Sequence, residues 1–529
     1  MKKQSFVIGA VVLAACAILC KILGAIYRIP LTNILGVNGM GIYYLIFPIY
    51  SFMLTVSSSS FPTAISHLVS ISIARGDNKK ASAMLRVSLV VLTLIGLVST
   101  LIIFALAKPF ATLQGQSRAY FGYFAIAPSI FLVSILAAYR GYFQGLQNMV
   151  PSGISQIIEQ LTKLVFGLLL SIKLIKYGVV YGVIGALLAV SISECFAVGY
   201  LVVYYAVFKK KNPAFKLNKI DSKYKIVELI KEIFKEVLPY MLGTIVFPLS
   251  TLIDSFLVVN LLQGAGFSSE VATNLFGINS AVVGSMTNLP TVVSTSVAIA
   301  IIPSLSYSIK NKDSQSIKQK ASFSIKICLL ITLPCAVVFI LFANNIVDIL
   351  FASGLQGGSF DQFALAYKLL SVAGVGVVYL CLMQVLTAIL QSLSKPYIPV
   401  ISLSIAVVVK VIVECILLLQ PSINIYGAVI SNIVCYLIAS VINLYFVKKH
   451  INIKFSFVHM FILTICALLV MSAVIYAMLL LLSDILGKVI ATLVAFVIGA
   501  ISYFVCLFWF KIFDKSELQF LRKIKISKK

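Results

Sequence analysis

Long apolar runs, each closed by a short polar or charged stretch, recur along the whole chain. A helix needs about 20 apolar residues to cross a hydrocarbon core about 30 Å thick. On that measure the runs predict fourteen spans, near 5–26, 38–67, 84–107, 119–138, 152–172, 180–207, 236–262, 273–305, 323–343, 364–391, 398–418, 425–447, 455–481 and 487–510. No gap between them holds a long soluble domain. Because spanning backbone must satisfy its own hydrogen bonds, the expected fold is an all-α polytopic membrane protein. The lysine-rich stretch at 209–235 divides it into a six-helix bundle over 1–208 and a second over 236–450. Two extra helices over 451–512 and a basic tail over 513–529 follow.

The start of the chain imitates a lipoprotein signal, with Lys2-Lys3, a short apolar run and Leu13-Ala14-Ala15-Cys16. The run continues past Cys16 to about Ile26, so it is read as the first span.

Composition agrees with a membrane solvent. Hydrophobic residues make up 61% of the 529 and charged residues only 11%, against about 45–50% and about 25% in soluble chains. That excludes a water-soluble enzyme and a disordered chain. The 42 Lys and Arg against 16 Asp and Glu leave a formal charge of +26, which in a soluble chain would point to nucleic acid. Here placement decides. With the N-terminus inside, thirty-two of the basic residues fall in cytoplasmic segments and five (Lys108, Arg118, Lys173, Lys176, Lys488) outside. This asymmetry sets membrane orientation and predicts both termini in the cytoplasm, with anionic lipid rather than nucleic acid as the partner of that face. A bacterial cytoplasmic membrane is the expected location. The ten cysteines lie in apolar runs, none forms C-x-x-C, and the three histidines are His67, His450 and His459. No metal or redox cofactor is expected.

The two halves resemble each other. The second span holds Pro48 and Pro62 with Thr55 and Ser57 to Ser60 between them; the eighth holds Pro290 and Pro303 around Thr291, Ser294, Thr295 and Ser296. Charged turns follow both, Arg75-Gly-Asp-Asn-Lys79 and Lys310-Asn-Lys-Asp313. Gln144-x-Leu146 matches Gln391-x-Leu393, and Lys163 matches Lys410 at the same offset. Even-numbered repeats share orientation, so they would be parallel. Proline-broken, hydroxyl-rich spans at corresponding places point to a substrate cavity, although a single proline more often only kinks a packed helix.

Few ionisable residues lie inside the spans, where charge is costly and usually lines a cavity or pairs. Lys21 and Arg28 are seven apart on one face of the first span. Glu159 and Lys163, and again Lys410 and Glu414, stand at i,i+4. Glu194 lies in the sixth span, and Asp254 stands alone in the seventh. One reading makes the two i,i+4 sets self-neutralised pairs that orient their helices. The other makes the cluster a cationic site for an anionic substrate, with Lys21 and Arg28 on phosphate and Asp254 or Glu194 binding a coupling cation, Na+ or H+. Catalytic signatures are missing. There is no Walker loop and no G-x-S-x-G, and Gly374-Val-Gly376 follows no strand.

Lys21-Ile-Leu-Gly24, Arg28 and Gly36-Val-Asn-Gly39-Met-Gly41-Ile-Tyr43 resemble bacterial polysaccharide exporters of the multidrug/oligosaccharidyl-lipid/polysaccharide flippase superfamily. Arg140-Gly-Tyr-Phe-Gln-Gly145-Leu-Gln-Asn148 with Ile158-Glu159-Gln160 is similar to the stage V sporulation protein B group and the related lipid II flippases. The resemblance implies six plus six plus two spans and outward movement of an undecaprenyl-diphosphate-linked saccharide by alternating access. A cationic cavity would receive the head group, with Lys21 and Arg28 in contact with it. Glu159 and Lys163 match the charged fifth span, and the last two helices would help form a groove for the lipid tail. It further implies a role in cell-wall or spore-cortex synthesis beside that machinery, driven by Na+, H+ or the membrane potential. Gram-negative lipid II flippases carry Arg-Asp where this chain reads Tyr27-Arg28, so a mechanism using that aspartate does not carry over. The alternatives are a cation-coupled multidrug exporter, usually of twelve spans, and a membrane glycosyltransferase or polymerase acting on the same lipid. The latter would need clustered outer carboxylates, whereas Glu270, Asp348, Asp361 and Asp484 are scattered. A scaffold without transport would have no reason to bury so many charges.

Overall fold

The computed structural model describes residues 6–212, 225–356, 361–451, 457–510 and 512. Among these there is no strand. The α-helices are α1 (Phe6–Leu54), α2 (Phe61–Ala74), α3 (Asn78–Leu113), α4 (Tyr120–Gly145), α5 (Val150–Leu174), α6 (Val179–Lys211), α7 (Ile226–Thr244), α8 (Val246–Gly264) and α9 (Ser269–Gly277). They continue with α10 (Gly284–Asn288), α11 (Thr291–Lys310), α12 (Ser314–Leu341), α13 (Ala343–Phe351), α14 (Gln362–Ser392), α15 (Tyr397–Leu418), α16 (Tyr426–Ile451) and α17 (Phe457–Trp509). The basic segment 213–224, most of the tail, and the side chains of Pro303 and His459 lie outside the described set.

Eleven stretches are long and apolar enough to cross a membrane, so the chain is a multi-pass membrane protein. The difference from fourteen has identifiable sources. Val12–Ala74 and Ile462–Trp509 run for 63 and 48 residues, and straight helices of that length would span roughly 95 and 70 Å. Both are broken where a glycine takes a left-handed conformation, Gly36 (φ 65°) and Gly487 (φ 74°), which a residue with a Cβ adopts poorly. The helix α5 is not among the eleven. Gln156, Glu159, Gln160 and Lys163 dilute its hydropathy. Outward faces are apolar, as lipid solvent requires: Leu94 and Leu101 on α3 are 57% and 54% exposed, and Leu469 on α17 is 65% exposed.

The hydroxyl-rich stretch is irregular in the first half, and in the second it opens a regular helix, α11, that follows an irregular segment. After Pro48 the helix passes through a π turn, Thr55–Ser59, before α2 starts with Pro62 in its first turn. There Thr55 donates to the Ser51 carbonyl and Ser58 to that of Leu54. The corresponding stretch has a π turn at Ile278–Val283 and a break before α11, where Ser294 donates to Gln384 Oε1 at 2.6 Å. In the first half side-chain hydroxyls thus serve backbone carbonyls, and in the second Ser294 serves a side chain of another helix.

Turns also recur. Gly76 (φ 74°) precedes Asp77, which caps α3 by accepting from Lys80 N, and Lys312 (φ 55°) precedes Asp313, which caps α12 by accepting from Ser316 N and Oγ. Those bonds hold the Asp313 carboxyl below the usual range. The turns between α4 and α5 and between α14 and α15 each place a left-handed residue, Gln147 and Ser394, both at φ 59°.

The chain divides into two compact units, 1–285 with 353–362 and 407–428, and the remainder. The first unit has two cores. One gathers Tyr27, Leu31, Ile46, Tyr123, Ile126 and Leu187. The other joins Phe61, Met84, Tyr142 and Leu201 to Leu229, Ile233 and Val237 of α7. The helix α7, which covers the end of the basic linker, is further held by Lys80–Glu232 and His67–Glu236 pairs at 3.0 and 2.7 Å. The second unit packs α12 on α17 through Leu330, Met471, Ile475 and Tyr503, whose hydroxyl donates to the Leu330 carbonyl.

In the first unit α1 and α9 meet backbone to backbone. Gly41 faces Thr273, Gly277 faces the Val37 carbonyl, and Asn38 Nδ2 donates to Asn274 Oδ1 at 2.8 Å. A Cβ at Gly277 would run into the Val37 carbonyl, whereas one at Gly24 would meet nothing within 4 Å. Gly277→Ala is therefore expected to destabilise the purified protein by about 1–3 kcal/mol, seen as a lower melting temperature in detergent. Gly24→Ala is expected to leave it unchanged or raise it slightly.

Candidate functional site

The site is built from α1, α4, α5 and α6, all within the first unit. Arg28 sits on α1, where Thr32 Oγ1 donates to its carbonyl. Arg28 is half-buried and lies in the electrostatic field of Tyr44, Tyr43 and Tyr27. The two rings on the far side of Gly36 pack edge to face, with centroids 5.5 Å apart. Tyr27 is almost fully buried against α5, and Gly167 makes room for it: a Cβ there would come within 2.6 Å of the Tyr27 ring and hydroxyl. Among the described residues no carboxylate lies within 4.0 Å of Arg28.

Glu159 does not form its ion pair with Lys163. Arg140 on α4 reaches across, placing Nη2 2.9 Å from Glu159 Oε2 and Nε 2.9 Å from Ser155 Oγ. The pair is enclosed, with side chains 13% and 18% exposed. Arg140 is thus a structural partner of the site and not a free cytoplasmic charge. Its removal from the cytoplasmic tally leaves the asymmetry intact. Lys163, one turn past Glu159, lies in the field of Glu159, Arg28 and Glu194. Among the described residues it has no carboxylate within 4.0 Å either. Glu194 on α6 is 3% exposed, and its Oε2 accepts no hydrogen bond. Three cations and two carboxylates therefore converge, and two of the cations have no ion-pair partner. An unpaired cation in a low-dielectric interior is stabilised by an incoming anion, and a guanidinium presents several donors to phosphate oxygens where an ammonium offers a mobile point charge.

Of the residues predicted from sequence, the structure brings Arg28, Glu159, Lys163 and Glu194 together. Lys21 is exposed on α1. Asp254 does not stand alone: Lys410 Nζ on α15 is 2.5 Å from its Oδ2. That bond, with one to Ser250 Oγ at 3.2 Å, makes Asp254 on α8, Lys410 and Glu414 a separate cluster. Lys410 thus reaches across helices in the same way as Arg140.

Arg140 was missed because it lies near a helix end in a segment read as a loop. A register argument finds it. It is five residues before the end of α4, and Glu159 is nine after the start of α5, a difference of about 6 Å in rise that an arginine side chain spans. Tyr43 and Tyr44 carried no periodic signal, because the break at Gly36 brings them back towards Arg28, whereas Tyr27 is its chain neighbour. Arg140→Ala is expected to cost about 3 kcal/mol by stranding Glu159. Thermal unfolding in detergent should show Arg140→Ala with Glu159→Gln recovering part of that loss, the mark of a direct pair.

A family model described as polysaccharide biosynthesis protein matches residues 6–309, and one described as MatE matches 239–416. Stage V sporulation protein B of Bacillus subtilis (strain 168) is 25% identical over 455 residues, 86% of each chain. The lipid II flippase MurJ of the same organism is 24% identical over 85% of this chain and 83% of that one. Among solved structures, the lipid II flippase MurJ in an inward closed conformation superposes with a TM-score of 0.70 at 16% identity, over 95% of this chain and 99% of that one. With more than half of its length matched by the first model, the chain belongs to the polysaccharide biosynthesis protein family, within the multidrug/oligosaccharidyl-lipid/polysaccharide flippase superfamily.

Proposed function

We propose that this protein moves an undecaprenyl-diphosphate-linked saccharide from the inner to the outer leaflet of a bacterial cytoplasmic membrane by alternating access, with lipid II the leading cargo. The observation that carries the reading is the pair of cations, Arg28 and Lys163, half-buried among the membrane helices with no carboxylate within 4.0 Å among the described residues. A diphosphate supplies the missing anion. In this reading Arg28 grips it, Lys163 follows it as a point charge, and Arg140–Glu159 fixes α4 against α5. Lys21 is left at the entrance. Glu194 limits the positive field so that the head group can leave again.

Fourteen crossings follow if the stretch broken at Gly36 and the one broken at Gly487 each cross twice and α5 crosses once. The matched turns at Gly76 and Lys312, and at Gln147 and Ser394, support two parallel six-helix repeats. Both termini then lie in the cytoplasm. Spans 13 and 14, the two limbs of α17, serve the lipid tail. A cavity of about 400 Å³ between them and α12–α13, lined by Leu341, Phe342, Leu479, Leu480, Asn345 and Lys488, supports that assignment. The setting is cell-wall or spore-cortex synthesis.

The similarity to stage V sporulation protein B and to MurJ supports this cargo class. The MatE match and the buried Glu194 favour a second reading, export of an organic cation. Binding to the full-length protein in lipid nanodiscs separates the two. Undecaprenyl-diphosphate-linked disaccharide should bind to wild type and lose at least tenfold in affinity in Arg28→Ala and in Lys163→Ala. Binding of ethidium that survives both changes, with no binding of the diphosphate lipid, would favour the exporter.

A further inference from the structure

A lipid tail accounts for only part of the cavity between α12–α13 and the two limbs of α17, all of it within the second unit. The limbs double back on each other, since Gly499 of the second faces Ile475 and Met471 of the first, and the break at Gly487 forms the tip of the hairpin. A chain reversal leaves backbone groups that hydrocarbon cannot satisfy, so the tip and the cavity beside it belong at the boundary between lipid and water. The lining changes character in the same sense along both elements. On α17 it runs from Leu479 and Leu480 to Ser483 and then to Lys488, just past the tip. From α12 into α13 it runs from Leu341 and Phe342 to Asn344, Asn345 and Asp348. Among the described residues the side chains of these five polar residues make no hydrogen bond or ion pair within the protein. An ammonium and a carboxylate thus line one space of about 400 Å³ without pairing with each other.

We propose that this cavity binds the headgroup of a resident zwitterionic phospholipid, one that joins a phosphate to a primary ammonium as phosphatidylethanolamine does. Lys488 takes the phosphate, Asp348 takes the ammonium, and the amides of Asn344 and Asn345 supply donors to the one and acceptors to the other. Leu341 and Leu480, both exposed to the membrane solvent, lie along the start of the acyl chains. The balance of charge decides the headgroup. A purely anionic one would meet Asp348 and an organic cation would meet Lys488, each as a like charge, whereas a zwitterion is complementary to both. A quaternary ammonium is recognised by a cage of aromatic rings, and the lining offers only Phe342 and Tyr476. A carboxylate beside amide carbonyls instead matches an ammonium that can donate hydrogen bonds. The volume lies at the small end of ligand sites, which run from about 300 to 1,000 Å³, and so fits a headgroup rather than a whole lipid. The occupant is a component of the membrane and not the cargo, so the inference goes beyond the flippase reading and does not rest on it.

The test is native mass spectrometry of the full-length protein, titrated in detergent with phosphatidylethanolamine, phosphatidylglycerol or phosphatidylcholine of identical acyl chains. Wild type should hold its first phosphatidylethanolamine roughly fivefold more tightly than either other lipid, which is what one exposed ion pair can supply. Lys488→Gln and Asp348→Asn, both at exposed positions, should each remove that preference. Asp348→Asn should also tighten phosphatidylglycerol, because the cavity then carries a cation alone. In thermal unfolding, phosphatidylethanolamine should raise the melting temperature of wild type more than that of either variant. Equal retention of the three lipids by wild type would overturn the proposal, as would an unchanged preference in either folded variant. Each variant tests the site separately, so one that does not fold leaves the other decisive. Water-soluble glycerophosphoethanolamine that binds as tightly as the lipid would overturn the membrane as the source.

Discussion

A charge held inside a membrane protein must find a partner, and the first unit is arranged around that constraint. Lipid offers none, so each buried ionisable group is matched across helices or left for something that arrives. Arg140 crosses from α4 to Glu159 on α5, and Lys410 crosses from α15 to Asp254 on α8. These bonds do more than neutralise. Each ties a helix to a neighbour that apolar packing alone would leave free to slide, because lipid tails solvate Leu and Val as well as another helix does. The remaining cations of the site, Arg28 and Lys163, stand out because among the described residues no carboxylate lies within 4.0 Å of either.

The fixed pairs and the unpaired cations also divide the labour of a transporter. A site neutralised throughout would have no reason to take up an anion, and a purely cationic one would hold it too tightly to release it. Three cations against two carboxylates leave a modest excess, with Glu194 close enough to temper Lys163. The broken backbone at Gly36 contributes as well. It turns the chain so that Tyr43 and Tyr44 come back towards Arg28, which a straight helix could not achieve.

Much of this was legible in the sequence, for physical reasons that also mark where legibility stopped. The spans were visible because hydrocarbon thickness imposes a length and lipid imposes an apolar composition. The helix α5 was read as a span near 152–172 although Gln156, Glu159, Gln160 and Lys163 lower its hydropathy and it is not among the eleven apolar stretches. The buried charges were visible because they are rare. Their partners were not, because i,i+4 spacing is written in the sequence and tertiary register is not. Hence Glu159 was matched with Lys163 and Lys410 with Glu414, while the ion pairs formed run to Arg140 and Asp254. The pairs of proline-broken stretches were legible as irregular helix. The local use of their hydroxyls on backbone carbonyls was not.

The central claim is that a half-buried, cation-rich site in this fold carries a lipid-linked diphosphate saccharide across the membrane. The most direct measurement is depletion of the protein in cells lacking any other flippase for that lipid, followed by labelling of lipid II accessible from outside. The account predicts that externally accessible lipid II falls while the inner pool accumulates, and that wild type restores it where Arg28→Ala does not. Unchanged outer-leaflet lipid II after depletion would contradict it.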